Sequence, residues 1–314
     1  MKIFITGVSG LLGVNLAFQL RRNFQISGAY LRHPVTISGC ETMQLDLTSE
    51  QDVFQAIESA RPDVVINTVA LTDVEKCESD PELANLLNHG SALNAARASS
   101  NIGAKFVHIS TDHLFDGTKP WMTETDDPSP LNIYAKTKYE GELSVLEVCP
   151  DALIIRTNFF GWGTSIRTSF SDWILRSLEE HRPLNMFSDG YFTPLLVNDL
   201  IDLIVKLVDS DATGTINLGG ADRVSKYEFA LELAQRFDYP TEKINPVSMD
   251  TFDFKATRPK DMSLRSSKAE SILNKPMPSL TTSLIRLKEL RFGHWHETLE
   301  LAIAGSAIHP DPAL

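Results

Sequence analysis

The chain has 314 residues, a net charge of −12, and hydrophobic and charged fractions of 42% and 22%. That is enough for one large or two modest domains around a well-buried core, and the acidic balance argues against nucleic acid and anionic membrane surfaces as partners. No apolar run approaches a membrane span and no signal peptide precedes the first apolar stretch. Cys40, Cys77 and Cys149 are too few and scattered for a disulfide framework or a zinc site, so a cytoplasmic location is expected.

In chain order, Lys2 to Thr6 predicts a short strand. Gly7-Val8-Ser9-Gly10-Leu11-Leu12-Gly13 then turns into a helix with Leu12, Leu16 and Leu20 on one face. Glycines there let the backbone approach a pyrophosphate, and the helix N-terminus receives its charge. A second strand, Gln25 to Leu31, ends in Arg32 rather than in an acidic residue. Arg favours a ribose 2′-phosphate, so NADPH is the expected cofactor and NADH the alternative. The third strand closes with Gln44-Leu45-Asp46-Leu47, where such folds meet the adenine ring, and Thr48-Ser49-Glu50-Gln51 has the form of a capping box for a helix through Ala60.

Val64-Val65-Ile66 is the unbroken apolar run of a strand buried on both faces. The residues that follow, Asn67-Thr68-Val69-Ala70, are small enough to let a cofactor lie close. Thr72 to Glu78 reads as a polar loop, and Pro81 as the start of a long helix through about Ser99. Strand and helix alternating with short connections predict an α/β fold with a doubly wound parallel sheet.

The strand Phe106 to Ile109 runs into Ser110-Thr111-Asp112-His113, and a loop rich in Pro, Asp and Thr leads to Tyr134-Ala135-Lys136-Thr137-Lys138. At helical spacing Tyr134 and Lys138 sit one above the other. An ammonium beside a phenol is expected to lower the tyrosine pKa from about 10, so that the phenol exchanges a proton with a substrate oxygen. Thr111, at the end of a strand, can bond the same oxygen. Alone, the pair is equally the pattern of a surface ladder.

Asp151 to Thr157 predicts another strand, and the aromatic run Asn158 to Gly163 leaves the sheet. Thr168 to Leu178 predicts a helix with Phe170, Trp173, Ile174 and Leu178 on one side. Asp189 to Pro194 reads as a turn, Leu195 to Val208 as a helix, Thr215 to Leu218 as a strand, and Ser225-x-x-Glu228 as the capping box of a helix to Phe237. Helices are expected at about Ser279 to Leu290 and Glu297 to Ala304, with a loose tail over 305–314. His294-Trp295-His296 lacks clear partner carboxylates, so no metal is expected.

Several of these segments resemble an extended short-chain dehydrogenase/reductase, most closely the dTDP-4-dehydrorhamnose reductase family. They are Thr6–Gly13, Val64–Glu78, Ser110-Thr111-Asp112 with Leu114-Phe115-Asp116-Gly117, Ser129-Pro130-Leu131-Asn132 with Tyr134, Lys136, Thr137 and Lys138, Arg156-Thr157, Asp189-Gly190 with Pro194, and Arg258-Pro259. The resemblance spans residues 1 to roughly 290. It implies hydride transfer from a reduced nicotinamide to the C4 ketone of a nucleotide-linked 6-deoxy-4-keto sugar. Tyr134 would be the proton donor, Lys138 would hold the nicotinamide ribose, and Thr111 would orient the substrate oxygen. Gly10, Leu11, Leu12, Asp46, Leu47, Val69 and Ala70 would line the cofactor. Asp112, Phe159 and Arg258 would face the substrate, Arg258 toward a nucleotide phosphate or else in a surface salt bridge.

The expected organisation is a Rossmann domain of residues 1–157 and 194–218, with a smaller α+β substrate domain of 158–193 and 219–304. Related dehydratases carry an Asp-Glu pair after the threonine; here Asp112 is followed by His113, so the second carboxylate is missing. Some relatives dimerise, which admits a homodimer. Two other functions resemble this pattern: a non-catalytic NADP-binding regulator like the β subunit of methionine adenosyltransferase, and a sugar-nucleotide epimerase holding NAD, against which Arg32 speaks.

Overall fold

The computed structural model describes residues 1–303, so the expected tail lies outside the described residues. Seven strands form one parallel sheet: β1 (Lys2–Thr6), β2 (Gln25–Tyr30), β3 (Cys40–Gln44), β4 (Val64–Asn67), β5 (Lys105–Ile109), β6 (Leu153–Thr157) and β7 (Gly214–Leu218). Their order is β7-β6-β5-β4-β1-β2-β3. The chain winds outward from β1 to β3, then crosses back to lay β4 on the other side of β1. A crevice opens outside the carboxyl ends of strands at such a reversal.

The period-2 alternation of the strands sorts their side chains into two cores. Ile3, Ile5, Ile26, Val64, Ile66, Val107, Ile109 and Ile155 pack on one face and Phe4, Ala29, Val65, Phe106 and Ile154 on the other. Helices Leu11–Leu20 and Val197–Asp209 cover the first face. Helices Glu50–Ala60, Ser91–Asn101 and Ile133–Val148 cover the second, where Ala92, Ala95 and Ala96 allow close approach.

The first core continues without a break into a smaller lobe through Phe160, Trp162, Ile174, Phe229 and Leu284. That lobe holds helices Phe170–Glu179, Lys226–Arg236 and Leu280–Phe292. It also holds three short strand pairs, of which Tyr191–Phe192 with Val224–Ser225 is antiparallel. Helix Trp295–Ile303 returns to the sheet lobe: the Trp295 indole donates to Asn15 Oδ1 (2.8 Å), and Thr36 N–H donates to Ala302 O (2.8 Å). His294 and His296 face separate carboxylates, Glu297 at 3.6 Å and Glu300 at 3.7 Å.

Several local expectations need correction. Thr72 to Glu78 is not all loop, because Asp73 accepts a hydrogen bond from Lys76 N and caps a helix over Val74–Ser79. The helix from Pro81 is interrupted by a π turn at Leu86–Gly90. This turn presents Asn88, whose amide donates to Thr137 Oγ1 (3.1 Å) and accepts from Leu71 N (2.7 Å). The third strand ends at Gln44, and Asp46 instead closes a turn by accepting from Thr48 N and Oγ1. Ser49, not Thr48, then caps the next helix. Trp173 is exposed rather than packed inward, and Tyr191–Phe192 turns the expected Asp189–Pro194 turn into a strand.

One buried ion pair ties the helix Ile133–Val148 to β6. Arg156 donates to both oxygens of Glu142, with its NH2 at 2.7 Å from Oε2, and the two side chains are only 5% and 2% exposed. Removing one partner of such a pair strands the other charge. Glu142→Ala should therefore lower stability by about 3–5 kcal/mol, read as a fall in the urea midpoint. A loss under 1 kcal/mol would mean that water reaches Arg156.

Candidate active site

The cofactor side of the crevice is built by backbone. Gly7, at φ +73°, takes the left-handed conformation that glycine adopts without strain, and a Cβ there would lie 2.9 Å from Thr68 Oγ1 and from Val69 Cγ2. A Cβ on Gly13 would collide with the Gly7 carbonyl oxygen and stand 2.8 Å from Val8 Cα. Among the described residues no side chain caps the helix beginning at Leu11, whereas Ser49, Asn132, Ser169 and Ser225 cap theirs. Uncapped N–H groups at a tight glycine turn suit a pyrophosphate, so the residues present fit a dinucleotide.

The crevice gathers Gly7, Ser9, Gly10, Leu11, Thr68, Val69 and Ala70, all at the carboxyl ends of β1 and β4 or just beyond. Thr68 Oγ1 donates to Thr6 O (2.7 Å), which latches the two strand ends. Leu12 and Leu47 are buried in the cores and offer only backbone, while Asp46 and Arg32 are exposed after β3 and β2.

Beneath the crevice a polar chain crosses three apolar strands in register. Thr6, Asn67 and His108 are neighbours on β1, β4 and β5. Thr6 Oγ1 donates to Asn67 Oδ1 (2.5 Å), and the Asn67 amide nitrogen meets His108 Nδ1 (2.9 Å). His108 Nε2 stands 3.3 Å from Lys138 Nζ, which donates to Ile109 O (2.7 Å). Burial, with the Lys138 charge added, holds the His108 pKa well below its ordinary value, so the ring is neutral. Burial also brings Lys138 down to about 8, against the pull of Glu142 one turn on.

These contacts overturn the expected effect of Lys138 on Tyr134. The ammonium is held by the β5 carbonyl and His108. The phenol, 8% exposed, is pushed well above 10 by burial, with Asp112 and Cys77 adding to the rise and a hydrogen bond with Thr111 opposing it. The group is a neutral phenol at physiological pH, in the protonation state of a donor.

At the carboxyl ends of β5 and β6 lie polar atoms that the fold leaves unsatisfied. Ser110 Oγ, Asp112 Oδ2, His113 Nδ1 and Thr157 Oγ1 are buried without hydrogen-bond partners among the described residues, and all belong to the carboxyl ends of β5 and β6. Such orphans are rare in a folded interior and mark a place that a ligand completes. His113 sits edge-on to Tyr134 with centroids 5.6 Å apart, its pKa pushed down to about 3 by burial and then by Lys226 and Arg258.

Of the expected substrate residues, Thr111 and Asp112 are central and 4% and 1% exposed. Phe159 is half-buried just past the carboxyl end of β6. Arg258 donates to Glu75 Oε1 (3.0 Å) and lies over the Phe254 ring, with its Nε unpartnered among the described residues. Sequence reasoning missed His108 and Asn88. Only His108 had a legible signal: a polar residue within the apolar run Phe106 to Ile109.

The sequence profile of the family described as RmlD substrate binding domain matches residues 1–290. A probable low-salt glycan biosynthesis reductase, Agl14 of Haloferax volcanii, is 31% identical, with 92% of this chain and 97% of that one covered. Methionine adenosyltransferase 2 subunit beta of Rattus norvegicus is also 31% identical, covering 86% of this chain and 82% of its own. The crystal structure of dTDP-4-dehydrorhamnose reductase from Bacillus anthracis in complex with NADP superposes with a TM-score of 0.82 at 29% identity, covering 92% of this chain and 98% of that one. Profile, relatives and fold agree over nearly the whole length, and the chain belongs to the RmlD substrate binding domain family.

Proposed function

We propose that the chain is an NADPH-dependent reductase acting on the C4 ketone of a nucleotide-linked 4-keto-6-deoxy sugar. The observation that carries this reading is a buried Tyr134 kept protonated, edge-on to His113, in a fold that leaves polar atoms unsatisfied at the carboxyl ends of β5 and β6 and builds a glycine cradle at the end of β1. The relatives named as reductases and the NADP complex of the Bacillus anthracis protein support it, and the exposed Arg32 after β2 suits a 2′-phosphate. Residues 1–157 with 194–218 would hold the cofactor, and 158–193 with 219 onward the sugar nucleotide.

In this reading a bound reduced nicotinamide supplies the hydride. Tyr134 donates its proton to the carbonyl oxygen as that oxygen gains charge, and the Thr111 hydroxyl orients the same oxygen. Ile109 O and His108 fix Lys138, the residue that would hold the nicotinamide ribose. The helix carrying Tyr134 is positioned at its start by Asn132 capping Ala135 N and near its middle by Glu142 on Arg156.

A non-catalytic regulatory subunit is the second reading, favoured by the likeness to methionine adenosyltransferase 2 subunit beta. NADPH oxidation with dTDP-4-keto-6-deoxy sugar, without any partner protein, separates the two. Tyr134→Phe should cut kcat by about 10²–10⁴-fold with the NADPH Kd unchanged. A wild-type protein that binds NADPH but turns over no keto sugar sinks the reductase reading.

Lys138 is protonated below about pH 8 and neutral above it. The rate should therefore fall as pH rises past that value, and Lys138→Met should lack this limb of the kcat/KM profile. Gly13→Ala forces a Cβ into the Gly7 carbonyl, and should weaken NADPH binding by about tenfold or more in a fluorescence titration.

A further inference from the structure

Tyr134 is the second residue of the helix Ile133–Val148. The first N–H groups of an α-helix have no intrahelical acceptor, so the helix's own ladder leaves that turn unfixed. Two side chains supply what the ladder lacks. Asn132 Oδ1 accepts from Ala135 N (2.9 Å), and Glu78 Oε2, 55 residues away in sequence, accepts from Ile133 N (3.1 Å). The first is a local cap. The second is a carboxylate brought by another element to the residue directly before Tyr134, at the helix end that favours an anion.

A distant clamp positions a helix only if it is itself fixed, and helix Val74–Ser79, which carries Glu78, is fixed at several points. Glu75, on the same helix, accepts from Lys255 N (3.1 Å) and from the Arg258 guanidinium (3.0 Å). Cys77 Sγ donates to Leu71 O (3.3 Å), and Leu71 N donates to Asn88 Oδ1 (2.7 Å). The Asn88 amide in turn donates to Thr137 Oγ1 (3.1 Å), on the helix that carries Tyr134. From the opposite side Asn132 Nδ2 donates to Thr257 O (2.8 Å). Between these bonds Cys77 and Ala256, both fully buried, pack in one apolar cluster with Tyr134. Apolar packing is non-directional, so the hydrogen bonds set the rotation and height of the first turn.

The place from which Glu78 reaches is what gives its bond a use. Leu71 directly follows Val69 and Ala70, and helix Val74–Ser79 continues from there, so Glu78 belongs to the segment that walls the crevice after β4. We propose that Glu78 is a positioning residue: by holding the Ile133 N–H it fixes Tyr134 against the segment that lines the cofactor crevice, so that proton donor and hydride donor keep one spacing. This inference rests on the reductase reading.

The test is a double-mutant cycle on kcat with dTDP-4-keto-6-deoxy sugar at saturating NADPH, with the sugar KM, NADPH Kd and urea midpoint measured for each variant. Glu78→Ala should lower kcat by about 10- to 100-fold, the range for a displacement approaching 1 Å, with KM and Kd unchanged. Glu78→Gln keeps an acceptor oxygen at the same reach and should retain most of the rate. In a Tyr134→Phe background, Glu78→Ala should cost nothing further, because a residue that acts through the phenol has nothing left to position. Should Glu78→Ala fail to fold, Glu78→Asp, which keeps the charge but withdraws it from Ile133, takes its place in the cycle with the same expectation. A wild-type kcat in the folded single variant, or the full loss repeated in the Tyr134→Phe background, overturns the proposal and leaves the reductase reading standing. A wild-type protein that binds NADPH but turns over no keto sugar overturns both.

Discussion

A lysine ammonium with 1% of its surface exposed is the constraint around which this molecule is arranged. An isolated buried charge costs several kcal/mol, so Lys138 exists only where the fold surrounds it with compensation. The Ile109 carbonyl accepts its hydrogen bond, His108 stands beside it held neutral, and Glu142 lies one helical turn on. Glu142 is itself a buried charge and needs Arg156. The dependence thus runs from Thr6 on β1 through Asn67 and His108 to the helix, and from the helix to β6. A register slip of one residue in β4 or β5 would turn Asn67 or His108 to the opposite face and break it. Folding the sheet correctly and assembling the polar base of the site are one requirement.

Polar groups within the sheet differ from those at its edge. Inside, Thr6, Asn67 and His108 find partners on the adjacent strands. At the carboxyl ends of β5 and β6 the hydroxyl, carboxylate and imidazole atoms stay unsatisfied, and at the end of β1 the helix N–H groups stay uncapped. These open groups share the carboxyl edge of the sheet, while other atoms unpartnered among the described residues lie on Arg156, Asp172, Asn198, Asn217 and Arg258. Open polar groups gathered along this edge suit a ligand that would complete them.

The parts legible in the sequence are those set by local or periodic rules. Apolar runs buried on both faces predicted the parallel strands, and the glycine spacing predicted the turn that a Cβ would block at Gly7 and Gly13. Ser225 with Glu228 predicted a capping box that forms as written. What escaped notice depends on partners distant in sequence. His108 acquires meaning only beside Asn67 and Lys138, and Asn88 only beside Leu71 and Thr137. The helix Val74–Ser79 was hidden by its polar composition, although Asp73 was a cap in plain view. The π turn at Leu86–Gly90 has no composition signal, because it answers to tertiary packing: a Cβ on Gly141 would lie 2.7 Å from Asn88 O.

The error about Tyr134 is the most informative. Spacing alone suggested that Lys138 would stabilise a phenolate, but burial acts on both groups and in opposite senses. Desolvation disfavours whichever form is charged, so it raises the phenol and lowers the ammonium. In water the two groups have nearly equal pKa values, about 10 and 10.4, and a proton shared between them would have no preferred home. Here the phenol is driven well above 10 and Lys138 is brought down to about 8. In the proposed reaction a phenolate left after Tyr134 gives up its proton would be the stronger base of the two, and so the first to be reprotonated. The same burial would keep the phenol protonated between turnovers, the state that the proposed reduction needs of Tyr134.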